Sequence, residues 1–382
     1  EGKDWVTNTA VPLAFRSLAT DGTQATAANA AVTWAQLAAV TLAVADSDTT
    51  CPNIFAFYNS SSADELQWGN ITTALRYNHI INKKLFANVT ATYSRYLFNI
   101  GNQSTTDISS TDTSYTDIFG YDYSSGIHDW GGKIDFDYLP NPNHYVRFGI
   151  GETYHTFTPG VNAFNLSSGG TTIDTTFGAD SIYAHEMYGY IEDDIKIGGR
   201  FKINPGVHYS AFIVNNVTYF NLQPRLSMNF LLKENLSVKA SYAKMAQYLH
   251  LLTNGTIGLP TDLWVPVTDS VPPIIADQVA LGLAYTLDND YEFSIEAYYK
   301  KMQNLIEYKD GASFFGSSEN WDKKIEIGTG TAYGVECFLQ KKVGKTSGWI
   351  GYTLAWSKRH FDNLNFGRTF SYKYDRRHDV SV

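Results

Sequence analysis

Three short clusters of ionisable residues are the first places in this sequence where acid–base chemistry could occur. They are His128-Asp129, Glu192-Asp193-Asp194 and His378-Asp379. A general base must lie within hydrogen-bond reach of its partner, but adjacent residues of an extended strand point to opposite faces. We therefore predict no catalytic residues, and we expect these side chains to lie in turns or on a solvated face of a sheet.

Metal and nucleotide sites have no support in the sequence either. Cys51 and Cys337 are far apart, and no cluster of cysteine and histidine has the spacing of a zinc site. No glycine-rich loop follows a strand and opens a helix, as a nucleotide site requires. We therefore predict no metal and no cofactor.

The composition excludes two further classes of protein. The 382 residues include 29 Lys and Arg against 38 Asp and Glu, a formal charge of −9, whereas nucleic-acid binders present a basic face. Aromatic residues make up 15% of the chain and charged residues only 18%, which argues against disorder. No segment predicts a membrane-spanning helix, because the charge-free stretch 23–45 is too rich in polar residues.

The dominant pattern from Leu66 onward is an alternation of apolar and polar residues with a period of two. Clear examples are Phe201–Ile213, Leu236–Tyr248, Asp277–Leu287 and Tyr291–Tyr299. This alternation is typical of β-strands with one apolar face. Many of these segments are about 12 to 16 residues long, whereas globular strands average about 5–6. A tilted strand of that length is long enough to cross the apolar part of a membrane.

The connectors between these segments alternate in length, which separates a membrane barrel from a soluble sandwich. The connectors of one parity are tight: Asn82–Lys84, Pro140–Asn143, Gly198–Gly199, Lys233–Asn235, Asp288–Asp290 and Val343–Ser347. Those of the other parity, except Asn215–Asn216, are longer: Gly101–Ser125, Pro159–Ser181, Leu249–Ile275, Gln303–Thr331 and Phe361–Tyr372. Short periplasmic turns and long extracellular loops predict an all-β, transmembrane antiparallel β-barrel.

The number of predicted strands indicates an incomplete barrel. About thirteen strands are predicted between Leu66 and Val382, and an odd number leaves an open edge that lipid does not tolerate. We therefore interpret residues 61–382 as part of a larger transmembrane barrel. Residues 1–60 are rich in alanine and threonine and are left unassigned, as further strands or as plug residues.

Five charged residues of the predicted strands lie on the polar parity. They are Arg76, Lys202, Lys239, Glu292 and Glu296. A lysine or arginine that faces lipid at the bilayer midplane costs about 2–4 kcal/mol. We therefore predict that all five face the lumen, where they either help to conduct a substrate or form a solvated wall.

The long loops are the best candidates for ligand binding, because loops on a rigid scaffold often carry binding residues. The candidates are Tyr248, His250, Asp262 and Trp264 in one loop and Tyr308, Phe314, Phe315 and Trp321 in another. Their aromatic rings could stack on a sugar or a chelate. The alternative is that they pack within the loops or at the membrane interface, where Tyr and Trp are enriched.

Five short segments carry a resemblance to a known family. They are LQPRLS at 222–227, SYAK at 241–244, LPTDLW at 259–264, YKKMQNLIE at 299–307 and YDRRHD at 374–379. In their order and spacing they resemble the barrel of TonB-dependent outer-membrane receptors, especially those of Bacteroidetes-type bacteria. The resemblance covers roughly residues 66–382.

The resemblance implies a barrel of about 22 strands with a plugged lumen, in the outer membrane of a Gram-negative bacterium. It also implies energy-coupled import of a scarce nutrient, either an iron chelate, a vitamin, an oligosaccharide or a peptide. The implied partners are outer-membrane lipid, the TonB–ExbB–ExbD complex, a plug domain of the same protein and, for a sugar importer, a surface lipoprotein. The alternatives are a passive porin, a barrel for secretion or adhesion, and a membrane protease or lipase.

Overall fold

The computed structural model of the chain describes most of the sequence beyond residue 56. The described residues are 57–109, 113–168, 171–178, 180–253, 263–287, 290–312 and 321–382. Residues 1–56, which are most of the unassigned segment 1–60, lie outside them, and 57–60 belong to the first strand. Within these ranges, no helical segment has the length and apolar character needed to span a bilayer.

Antiparallel β-strands dominate the described chain, and twelve of them have 12 to 28 residues. The strands are β1 (Phe57–Asn82), β2 (Leu85–Ser109), β3 (Ser114–Asn141), β4 (His144–Ser168), β5 (Thr171–Gly178), β6 (Ile182–Ile197), β7 (Phe201–Val214), β8 (Val217–Lys233), β9 (Leu236–Gln247), β10 (Leu249–Leu252), β11 (Leu263–Pro266), β12 (Ile274–Leu287), β13 (Tyr291–Tyr308), β14 (Ile325–Lys341), β15 (Gly348–His360), β16 (Phe370–Ser371) and β17 (His378–Ser381). Two short 3₁₀ turns, Trp321–Lys324 and Asn365–Gly367, lie between strands.

The strands form one long meander. The order in the sheet is β1-β2-β3-β4-β6-β7-β8-β9-β12-β13-β14-β15-β16, so neighbours in sequence are mostly neighbours in space. In addition, β5 pairs with β4 and β17 pairs with β15, while β10 and β11 form a separate hairpin. This topology confirms the predicted all-β antiparallel architecture with tight turns at one end of the strands.

The described chain divides into two compact units. One contains residues 57–71, Tyr96–Gly126 and Gly160–Ala179; the other contains Thr72–Arg95, Ile127–Pro159 and Asp180–Val382. The second unit holds every residue of the sites described below.

Several strands are longer than the sequence predicts. A loop was predicted at Gly101–Ser125, but β2 continues to Ser109 and β3 begins at Ser114. The predicted loop Pro159–Ser181 likewise contains the end of β4 and all of β5. These extensions are rich in Ser, Thr, Asn and Asp and lack an apolar parity, which is the signal by which a strand is recognised.

The register of the sheet separates an apolar face from a polar face. From β7 to β14, skipping the separate hairpin, one row of neighbouring residues is Phe201, Phe230, Val238, Leu283, Ile295 and Cys337. The adjacent row is Lys202, Asn229, Lys239, Gly282, Glu296 and Glu336. Large side chains of the first row, such as Phe230 and Leu283, are exposed, as expected of a surface that contacts lipid.

Glycines on the polar face make room for tyrosine rings. A Cβ atom at Gly151 of β4 would lie 2.5 Å from the ring and hydroxyl of Tyr188 on β6. Two residues earlier on the same face of β4, a Cβ atom at Gly149 would lie 2.9 Å from the Tyr190 ring. The Tyr190 hydroxyl donates a hydrogen bond to Asp135 Oδ1 at 2.9 Å, so the close approach also ties β6 to β3.

Candidate functional site

Three of the five charged residues predicted to face the lumen line one concave surface on the polar face. Lys202, Lys239 and Glu296 border an open cavity of about 330 Å³. The other two lie elsewhere: Glu292 forms an ion pair with Lys342 near the tight turns, and Arg76 is exposed on β1. The structure therefore brings together a mixed-charge surface built by β7, β9 and β13.

The chain that follows β9 folds back over the polar face of β7 and β8. The Tyr248 hydroxyl lies 2.6 Å from Ser210 Oγ and accepts a hydrogen bond from Asn221 Nδ2 at 2.9 Å. The Tyr248 ring stacks on Phe212, with 4.7 Å between centroids and an angle of 7° between the planes. We call residues 248–253 and 263–273 the crossing segment.

Two further contacts extend the crossing segment across the sheet. The Tyr219 hydroxyl of β8 donates to the Thr268 carbonyl at 2.7 Å. The Thr253 hydroxyl donates to Glu307 Oε1 of β13 at 2.8 Å. Because β9 and β12 separate β8 from β13 in the sheet, the crossing segment bridges strands that are not neighbours.

The crossing segment contains a small apolar core of its own. Almost completely buried side chains are Leu252, Val265, Val267 and Val271. His250 is fully buried among them, and its Nε2 lies 3.1 Å from the Pro272 carbonyl. Burial lowers the pKa of His250 to about 4, so the ring is neutral near pH 7 and donates its Nε2–H to that carbonyl.

The loop residues predicted to bind a ligand are mostly buried where the structure describes them. Tyr248 and His250 are 2% and 0% exposed. Tyr308 and Trp321 are each 7% exposed, and Trp264 on β11 is half-buried. The other three, Asp262, Phe314 and Phe315, lie outside the described residues. Ligand binding by this set stays a prediction.

An ion pair secures the crossing segment to the ends of β13 and β15. Arg359 Nη1 donates to Glu307 Oε2 at 2.7 Å, and the two side chains are 10% and 18% exposed. Arg359 also donates to the Ile306 carbonyl at 3.2 Å, and its guanidinium lies 3.6 Å from the centroid of the Tyr372 ring. Since the other oxygen of Glu307 accepts from Thr253, one carboxylate holds two strands and the crossing segment.

A buried histidine on the polar face was missed by sequence reasoning. His155 of β4 is 5% exposed, and its Nδ1 lies 2.8 Å from Asp129 Oδ1 of β3. Its Nε2 lies 3.5 Å from Glu186 Oε2 of β6. The sequence pairs Asp129 with the adjacent His128, but the partner in space comes from the neighbouring strand.

The Glu192-Asp193-Asp194 cluster contacts two partners on β4, and Arg147 contacts both Glu192 and Asp194, the latter at 3.5 Å. Asp193 lies 2.7 Å from His144, and Arg147 lies 2.7 Å from Glu192. Among the described residues, no group of three or more His, Cys, Asp and Glu side chains is arranged to hold a metal ion. Arg147, Glu192 and Asp194 hold charge on the polar face, whereas His144 and Asp193 lie on the opposite parity.

A family model described as "TonB dependent receptor-like, beta-barrel" matches residues 11–381 of the chain. The chain belongs to this family of TonB-dependent receptor barrels. The match confirms the resemblance that five short segments suggested. It also extends over most of residues 1–60, for which the sequence alone gave no assignment.

Solved structures share the fold of this TonB-dependent receptor barrel. The ferric-catecholate import receptor Fiu of Escherichia coli K12 matches with a TM-score of 0.52 and 14% identity, over 85% of this chain and 51% of that one. The RagAB peptide importer matches with 0.51 and 11%, over 83% and 39%. The FrpB iron transporter of Neisseria meningitidis (F5-1 variant) matches with 0.50 and 9%, over 83% and 60%.

These likenesses establish the fold of the receptor barrel and not its cargo, because the identities are 9–14%. The chain spans 39–60% of the length of the three structures. A comparison with curated proteins found no match.

Proposed function

We propose that this chain forms part of the barrel of a transporter in the outer membrane of a Gram-negative bacterium. The transporter imports a scarce nutrient, and the TonB–ExbB–ExbD complex supplies energy from the inner membrane. The family match over residues 11–381 is the observation that carries this proposal. Its further partners are outer-membrane lipid and a plug domain of the same protein. We propose no catalytic role for any residue.

The cargo belongs to one of four chemical classes: iron chelate, vitamin, oligosaccharide or peptide. The similar structures are described as import receptors or transporters for iron, ferric catecholates and peptides, so they favour transport without choosing among these classes. A surface lipoprotein is the further partner that we propose for an oligosaccharide cargo.

The polar face is proposed to face the water-filled interior. Burying Lys202 and Lys239 against lipid would cost about 2–4 kcal/mol each at the midplane, while the opposite face presents exposed Phe230 and Leu283. The crossing segment lies on the same polar face through Tyr248. It would therefore narrow the path of a solute and present its own surface to it.

Cysteine labelling tests the orientation of the two faces. In the full-length protein with Cys51 and Cys337 replaced by serine, cysteines at Lys239 and Glu296 are expected to react with a membrane-impermeant maleimide. Cysteines at the adjacent positions Val238 and Ile295 are expected to stay unlabelled, because lipid covers them. Mass spectrometry of protein in intact outer-membrane vesicles measures the modified fraction. Stronger labelling at Val238 and Ile295 would reverse the assignment.

Dependence on TonB tests the proposed transport. A strain that lacks the full-length protein is compared with the complemented strain on limiting concentrations of nutrients from the four classes. For the nutrient whose uptake the protein restores, deletion of tonB is expected to reduce radiolabelled uptake to the level of the strain without the protein. Uptake that persists without TonB would contradict the proposal and favour a passive porin.

A further inference from the structure

The tight turns at one end of the strands carry mainly basic side chains. The turns and the two residues on each side of them contain the cations Lys83, Lys84, Lys196, Arg200, Lys233, Lys341, Lys342 and Lys345 and the anions Glu234, Asp288, Asp290 and Glu292. This excess of cations stands against a net charge of −9 for the chain. The tight-turn end is therefore the basic end of an acidic protein.

The sequence regions predicted as longer connectors are more acidic than the tight turns. The region 101–125 contains four aspartates and no lysine or arginine, and 159–181 contains two aspartates and again no lysine or arginine. The region 303–331 is mixed, with three lysines and five acidic residues. Cations therefore prevail in the tight turns, and anions prevail in the longer connectors.

Most cations of the tight turns are free to contact another molecule. Lys83, Arg200, Lys233 and Lys345 are exposed, and no carboxylate of the described residues forms an ion pair with them. Lys342 differs, because it is paired with Glu292. We call Lys83, Lys84, Arg200, Lys233, Lys341 and Lys345 the basic collar.

A β-bulge turns one collar lysine toward the apolar face. The register between β8 and β9 shifts between Leu231 and Lys233, so that Lys233 pairs with Leu236. Leu236 has the same parity as Val238, which lies on the apolar face. Arg200 lies next to β8, because its carbonyl accepts the Leu231 amide at 2.8 Å.

A second collar lysine also lies on the apolar face. Lys341 pairs with Tyr291 at the end of β13, and its Nζ lies 5.5 Å from the centroid of the Tyr291 ring. Tyrosines are enriched where a membrane meets water, and a lysine there places its stem on apolar surface and its ammonium at the headgroups. We therefore expect the ammonium groups of Lys233 and Lys341 to lie at the level of the lipid phosphate groups.

We propose that the basic collar binds the phosphate groups of anionic phospholipids in the periplasmic leaflet. The ammonium and guanidinium groups would donate charge-assisted hydrogen bonds to phosphate oxygens. Arg200 with Lys233, and Lys341 with Lys345, form two separate contact points for lipid headgroups. The inference rests on the proposed outer-membrane location, since it is this location that sets lipid beside the collar.

Lipid titration of the full-length protein tests the collar. The probe is dihexanoyl phosphatidylglycerol, added to protein in a neutral detergent and counted by native mass spectrometry. The variant carries Lys233→Gln and Lys341→Gln. Its matched control carries Lys309→Gln and Lys323→Gln, which remove the same charge from exposed lysines outside the collar. Because each basic residue near a membrane surface strengthens binding about fivefold, we expect the collar variant to bind at least about tenfold more weakly.

The control is expected to bind like the unmodified protein, and dihexanoyl phosphatidylcholine is expected to bind weakly to all three. Equal loss in both variants, or equal affinity for the two lipids, would overturn the proposal. The titration does not involve TonB. TonB-dependent import without lipid selectivity would contradict lipid binding by the collar and leave the proposed transport intact. Selective lipid binding without TonB-dependent import would contradict the proposed transport and leave lipid binding intact.

Discussion

Replacing Glu307 with alanine is expected to lower the free energy of unfolding by about 3–5 kcal/mol, the cost of breaking a buried ion pair. The substitution leaves the Arg359 guanidinium buried beside the Ile306 carbonyl and Tyr372 without a counter-charge. It also removes the acceptor of the Thr253 hydroxyl. Guanidinium unfolding of the protein in lipid vesicles, followed by tryptophan fluorescence, measures the loss.

A double variant separates the net contribution of the ion pair from the cost of leaving one buried charge without its partner. With Glu307→Leu and Arg359→Met together, no charge is left buried, so the loss is expected to be much smaller than for either single change. The exposed pair of Lys342 and Glu292 is a control, because Glu292→Ala is expected to cost about 1 kcal/mol or less. A Glu307 variant as stable as the Glu292 variant would show that the pair does not hold the segment.

Replacing Phe212 with alanine is expected to lower the free energy of unfolding by about 3–5 kcal/mol, as truncation of a fully buried phenylalanine does. The substitution removes the ring on which Tyr248 stacks and opens a cavity where the crossing segment meets β7. Since the segment is a connector, most of the loss should be local. We expect hydrogen exchange of the amides in β10 and β11 to accelerate while that of β7 and β8 changes little.

Tyr248→Phe is the matched control for this prediction. It keeps the stacked ring and removes only the hydroxyl, which contacts Ser210 and Asn221. The expected loss in the free energy of unfolding is about 1–3 kcal/mol, because Ser210 and Asn221 each lose a hydrogen-bond partner. If Phe212→Ala left exchange in β10 and β11 unchanged, the crossing segment would be held by its other contacts alone.

The fold could be predicted from the sequence because apolar and polar residues alternate along the strands, one kind on each face of the sheet. Val238 and Lys239 are neighbours in sequence and lie on opposite faces in the structure, as the alternation predicts. The ends of β2 to β4 could not be predicted in this way. Where water contacts both faces of a hairpin, polar residues occupy both parities and the period of two disappears.

The contacts of the crossing segment could not be predicted because they join residues far apart in the chain. Tyr248 meets Ser210 of β7, and Thr253 meets Glu307 of β13, and no local pattern encodes either distance. His155 and Asp129 are 26 residues apart and meet because β3 and β4 form a hairpin. Aromatic residues in a connector can therefore pack against the strands of the sheet, as Tyr248 does, and their presence alone does not predict ligand binding.

The polar row across the sheet separates its charges sideways. Cations, Lys202 and Lys239, stand on β7 and β9, while anions, Glu296 and Glu336, stand on β13 and β14. The charges of this row form an electric dipole that runs across the strands, from β7 and β9 to β13 and β14. A zwitterionic solute beside it would be turned so that its carboxylate points to β7 and β9 and its ammonium to β13 and β14.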